Sequence, residues 1–285
     1  MIFLHLFPAR KTKAAHSTSS VIAFFLLSYI CLFLGQFLIF VLISPHVPML
    51  AETLALFGTA LVFLPLFVFS RMQKATMADL LLLRRKKAVS FSVLGWLCGL
   101  FFVILLLGSL LAFRACAYER SDIGSIPRIL LLLFVFLVQG SAEELLFRGF
   151  LMSSLSARYG GVASALVSSF AFSLVHATNP GVNLVGLLNV FLFGLLFSSV
   201  TQCTGSIFFA CGMHAGWNFA QSLLGFYVSG NASLYPLFLF SIRKSALMGA
   251  AFGMEGSPLL TALLVCILAF LAAVLSLRNK KLADW

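Results

Sequence analysis

The chain has 285 residues, 61% of them hydrophobic and 9% charged, with a mean hydropathy of +1.09 and a net charge of +11. A soluble domain averages about 45–50% apolar and about 25% charged residues, so this chain cannot build an ordinary aqueous surface, and it has no polar stretch long enough for a separate soluble domain. The positive charge falls in short runs between apolar segments, the pattern that orients membrane helices, and not on one basic face interleaved with aromatics, which argues against a nucleic-acid partner.

The first twenty residues, MIFLHLFPARKTKAAHSTSS, place a short apolar run before the charges, the reverse of a cleaved leader. The first long apolar stretch therefore reads as a retained helix. Crossing the hydrocarbon core takes about 20 apolar residues. The sequence predicts spans at roughly 20–43, 49–70, 91–113, 128–152, 160–178, 182–202, 204–228 and 258–277. This is an all-α, polytopic helical bundle of about eight helices with lipid as its partner. Arg10, Lys11 and Lys13 precede the first span. Arg71, Lys74, Arg84, Arg85, Lys86 and Lys87 follow the second, and Arg278, Lys280 and Lys281 follow the eighth. Eight spans put all three clusters on one side, which the positive-inside rule makes the cytoplasm, with both termini there. Together with the absence of organelle signals, this suits a bacterial plasma membrane. The basic stretch 71–90 reads as a loop, with an amphipathic surface helix as the alternative. The six cysteines form no C-x-x-C pair, and most lie in apolar stretches, so we expect neither disulfides nor a cysteine metal site.

Of eight acidic residues, Glu52, Asp79, Glu119, Asp122, Glu255 and Asp284 fall at helix ends or in loops. Glu143 and Glu144 do not: they sit in ILLLLFVFLVQGSAEELLFRGFLM. His176 and His214 are likewise inside apolar segments, whereas His5, His16 and His46 are not. A charge at the bilayer centre costs about 2.5–3.5 kcal/mol on insertion scales. Four such groups plus Arg148 are tolerable only if they meet in a shared polar cavity. Glu144 and Arg148, four apart, share a helix face and can pair. Glu143 is rotated by about 100° from Glu144, lacks an evident partner on its own helix, and is free to point at water or a substrate. His214 and Asn218 present one polar face, and Phe172 can wall the pocket beside His176. One difficulty is depth. If both helices are straight, Glu143 lies late in an inward-running helix and His176 near the outer end of the next, so the boundaries must slip or a helix must tilt or break, with Gly140, Gly149 and Pro180 as candidate breaks.

No pair of intramembrane aspartates, no G-x-S-G and no H-E-x-x-H occurs. What remains is Glu with His: a glutamate can take a proton from water, and a histidine can orient that water or bind a metal. The His–Asn face can donate hydrogen bonds to a developing oxyanion. The motifs E-E-x-x-x-R (Glu143, Glu144, Arg148), F-x-x-x-H (Phe172, His176) and H-x-x-x-N (His214, Asn218), in this order on successive apolar segments, resemble the CAAX-protease and bacteriocin-processing family. That family includes prenyl endopeptidases and bacterial members linked to bacteriocin self-immunity. The resemblance covers roughly residues 127–228, between N-terminal helices in 1–126 and a loop and last helix in 229–285.

The resemblance implies an intramembrane endopeptidase acting on a peptide or membrane-anchored protein. Glu143 would be the general base, His176 would help hold the water, His214 and Asn218 would stabilise the oxyanion, and Glu144 and Arg148 would hold the shape of the site. The resemblance leaves the cofactor open between none and zinc. A metalloprotease reading, with zinc on Glu143, His176 and His214, stands beside the metal-free one. The competing functions are a proton-coupled transporter, for which no internal repeat is visible, and a non-catalytic membrane adaptor.

Overall fold

The computed structural model describes residues 17–73, 76, 87–121, 126–232 and 236–283. Arg10, Lys11 and Lys13 and most of the basic stretch 71–90 lie outside the described residues. Among the described residues the chain folds as a bundle of eight long helices. Helix α1 is Thr18–Ile43, started by Ser17, whose side chain accepts from the Ser20 amide. Helix α2 combines Pro48–Ala55, a tighter 3₁₀ run Leu56–Val62, and Phe63–Met72. Helix α3 is Ala88–Ala112. Helix α4, Ile126–Glu144, continues through a π-helical stretch Leu145–Met152, and α5 is Ser153–Val175. Helices α6 (Leu184–Thr204), α7 (Phe208–Leu223) and α8 (Pro258–Ala283) complete the bundle.

Among the described residues, six segments are long and apolar enough to cross a membrane, α4 and α5 forming one of them. The chain is an integral membrane protein. Large apolar side chains such as Phe37, Phe101, Phe134, Phe170 and Phe270 stand exposed on five different helices, where lipid replaces water as their solvent. Helix α7 departs from expectation. It is only 16 residues long, against an expected 204–228, and is buried on almost every side.

That burial has a specific cause. Gly95 and Gly99 on α3 face Gly212 and Gly216 on α7, two G-x-x-x-G steps laid against each other. A Cβ on Gly95 would strike the Phe209 carbonyl, one on Gly99 the Met213 carbonyl, and one on Gly212 or Gly216 the carbonyls of Ser92 or Trp96. Without side chains the two backbones touch, the close approach that small residues allow between membrane helices. Helix α7 is thereby fixed along the face opposite His214. Replacing Gly99 with Leu is expected to cost at least the roughly 1–3 kcal/mol of an overpacked core, read as a lower unfolding temperature in detergent.

The sequence reading did not foresee the one sheet present among the described residues. Strand β1 (Cys116–Ser121) pairs antiparallel with β2 (Phe238–Ile242), with an irregularity between Tyr118 and Arg120. It ties the α3–α4 connection to the segment after α7. Helices α1, α3, α5 and α7 end on this face of the bundle, opposite the start of α1 and the end of α8.

Candidate active site

Helix α4 supplies Gln139, Glu143, Glu144 and Arg148, and the reversal after it decides where His176 falls. The loop expected at 153–159 is helical. The descending segment runs past Met152, and the chain turns back only at Gly160 (φ 80°, ψ 171°), a left-handed conformation that glycine adopts without penalty. Gly160 lies 17 residues after Glu143 and 16 before His176. At about 1.5 Å per residue the chain descends and returns by nearly the same distance, which removes the depth mismatch. Contacts across the reversal agree: the Ser168 hydroxyl donates to the Phe147 carbonyl at 2.8 Å, and the Phe147 and Phe172 rings meet edge to face at 5.1 Å. The π-helical stretch sits directly after Glu144, and such stretches are frequent at functional sites.

Glu144 and Arg148 are fully buried and paired at 3.0 Å. The same carboxylate oxygen, Glu144 Oε1, also accepts from His214 Nδ1 at 3.0 Å. The Arg148 guanidinium stacks over the Phe172 ring, 4.3 Å from its centroid, and lies 5.3 Å from that of Phe197. Phe197 in turn stacks on the His214 imidazole at 5.5 Å. A charge-assisted hydrogen bond and the stacked face of Phe197 thus hold His214 in one orientation.

Glu143 points elsewhere, as its rotation from Glu144 predicts, but it does have an intrahelical partner. Gln139, one turn earlier, donates to Glu143 Oε1. Gln139 Oε1 accepts from the Asn218 amide at 2.9 Å, so one glutamine ties the carboxylate of α4 to the asparagine of α7. Its i,i+4 spacing from Glu143 was the available signal. The other oxygen, Glu143 Oε2, has no hydrogen-bond partner among the described residues and lies 3.8 Å from His214 Nε2. His176 Nδ1 lies 2.7 Å from the Phe172 carbonyl. A carbonyl only accepts, so Nδ1 carries a proton, and in the neutral ring Nε2 carries the lone pair. Phe172 packs edge-on against His176 at 4.8 Å.

Glu143, His176, His214, Asn218 and Gln139 line one cavity of about 450 Å³. Its apolar wall comes from α1, including Phe33 and Phe37, and Glu52, Asn179 and Asn231 also line it. Apart from α4, which lines it from Leu132 to Phe147, these elements contribute the parts nearer the β1–β2 face, so the cavity lies toward that face. Glu143, His176 and His214 are the sequence's candidate metal ligands. Among the described residues no three His, Cys, Asp or Glu side chains are grouped to hold an ion. The metalloprotease reading thus finds no ligand set among them.

A family model described as type II CAAX prenyl endopeptidase, Rce1-like, matches residues 125–220, a stretch that contains all three motifs. This segment belongs to the Rce1-like family. The match supports a membrane protease of the general CAAX type. No curated protein matches the chain. The Rce1-like segment spans α4 to most of α7 and leaves α1, α2, α3 and α8 outside it. Yet α1 and α2 supply much of the cavity wall, so the site is larger than the Rce1-like match.

The Rce1-like match also ends before Glu255. By sequence this is a loop or helix-end acid, yet it is buried to 4% exposure, and it lies on a second, small cavity together with His176, His214 and Asn218. Nothing in its local sequence, AAFGMEGSPLL, signals burial.

Proposed function

We propose that the chain is an intramembrane endopeptidase in which Glu143 activates water. The observation that carries this reading is one unpartnered carboxylate oxygen on a cavity shared with two histidines and an asparagine. Water held between Glu143 and the His176 Nε2 lone pair gives a proton to Glu143 as its oxygen attacks the scissile carbonyl carbon. The carbonyl oxygen becomes an oxyanion. The second N–H of the Asn218 amide, free of Gln139, and His214 Nε2 donate to it. With Nδ1 engaged by Glu144, His214 donates from Nε2 as an imidazolium, a charge that Glu144 balances. The intermediate collapses as the C–N bond breaks, and the Glu143 proton leaves on the amine. Glu144, Arg148 and Phe172 keep His214 aimed.

The lining supports a substrate class as well. It carries two carboxylates, Glu143 and Glu52, and neither lysine nor arginine among the described residues. In a low-dielectric cavity such a lining repels a nearby free carboxylate. The substrate is then a neutral or basic peptide segment of a membrane-associated protein. With the termini in the cytoplasm of a bacterial cell, as the basic runs suggest, the cavity would lie toward the outer side. In detergent, the full chain should cleave members of a quenched fluorescent peptide library and favour lysine over glutamate next to the scissile bond. A zinc chelator should leave the rate unchanged. A preference for acidic peptides would overturn the substrate assignment, and loss of activity with chelator would overturn the metal-free step.

A further inference from the structure

Resting on that reading, we infer that Glu255 is a positioning residue for the oxyanion side of the site, acting from beyond the Rce1-like segment. Its Oε1 accepts from Trp217 Nε1 at 2.9 Å and from Gln221 Nε2 at 3.0 Å. Its Oε2 accepts from the Ser229 hydroxyl at 2.6 Å. No lysine, arginine or histidine pairs with it among the described residues. Burying a carboxylate without a cation is unfavourable unless hydrogen bonds replace its water, and here three donors do so.

The placement of those donors gives the arrangement its purpose. Trp217 and Gln221 are one turn apart on α7, and Trp217 adjoins Asn218. Two bonds one turn apart, converging on one oxygen, fix the rotation of α7 about its axis. That rotation decides where His214 and Asn218 point. Ser229 holds a left-handed backbone (φ 49°), a conformation uncommon in a non-glycine residue and found where surroundings enforce it. Ser229 lines both the main and the small cavity.

The anchor is itself held rigid. Asn189 on α6 donates to the Glu255 carbonyl at 2.8 Å and to the Ser257 carbonyl at 2.9 Å, and Thr261 on α8 donates to Asn189 at 2.7 Å. The 254–257 turn is thus fixed to α6 and α8, and Glu255 transmits that position to α7. The glycine contacts with α3 set how closely α7 packs, and Glu255 sets its rotation.

The test is amide hydrogen exchange over residues 214–222 of the full chain, joined to turnover of the fastest-cleaved library peptide. Glu255→Ala is expected to speed exchange there. It should lower kcat about 10–100-fold, the effect of misplacing a catalytic group by about 1 Å, with KM within about twofold. Glu255→Gln keeps an acceptor oxygen for Trp217 and Gln221 and is expected to restore both readouts. Should Glu255→Ala fail to fold, Gln221→Met removes a single donor and is expected to show the same changes at smaller size. Wild-type exchange and turnover in Glu255→Ala, or in Gln221→Met when that variant stands in for it, would overturn the assignment. A folded Glu255→Gln as impaired as Glu255→Ala would overturn it too, by making the charge the cause. Glu143→Gln is the control. If it stays active, the proposed hydrolysis fails, while the exchange data still decide the role of Glu255.

Discussion

Glu143→Gln is expected to lower kcat about 10²–10⁴-fold, the range contributed by a positioned general base, with little change in KM or in unfolding temperature. The substitution keeps the shape of the side chain and an oxygen to accept from Gln139, so α4 has no reason to move. It removes the acceptor at Oε2, which has no other hydrogen-bond partner among the described residues. The contrast with Glu144 is the informative part. Glu144→Gln leaves the cavity-facing carboxylate in place but weakens the hold on Arg148 and His214. It should therefore cost stability and kcat together. Steady-state kinetics and thermal unfolding on the same preparations separate the two behaviours.

Arg148→Met is expected to cost about 3–5 kcal/mol of stability, the price of breaking a buried pair and leaving one charge alone. The guanidinium and the Glu144 carboxylate are both fully buried, so neither can turn to water. The aromatic faces of Phe172 and Phe197 add to the loss, since methionine cannot replace a cation over a ring. Arg148→Lys should rescue only part, because an ammonium lacks the planar face that stacks on Phe172. Combining Arg148→Met with Glu144→Gln should recover part of the stability, because the carboxylate left without its guanidinium is then neutral. Activity should stay low, because His214 has lost the carboxylate that orients it. Denaturant unfolding of the single and double variants in detergent checks each step.

The helical bundle was legible because lipid leaves no alternative: a crossing needs about 20 apolar residues, and the chain spells most of them out, the short, buried α7 being the exception. The Glu144–Arg148 pair and the outward aim of Glu143 were legible from helix spacing alone. The turn at Gly160 was not. Residues 153–159 look polar enough for a loop, yet Ser153 and Ser156 satisfy their hydroxyls on backbone carbonyls within the helix, so the segment stays helical. The Gln139 bridge was half visible, as an i,i+4 neighbour of Glu143, but its second partner is on another helix. Glu255 was invisible, because its burial depends on four segments far apart in sequence meeting at one turn. Local pattern gives faces and spans; long-range hydrogen bonds have no local signature.

Single-turnover hydrolysis in H₂¹⁸O tests the central claim, that Glu143 activates water and does not itself attack. The full chain, in excess over the fastest-cleaved library peptide, is allowed one turnover, and the product and Glu143 are analysed by mass spectrometry. The account predicts one ¹⁸O in the new product carboxylate and none in the Glu143 side chain. Label in Glu143 would mean a covalent acyl intermediate on that residue, and would contradict it.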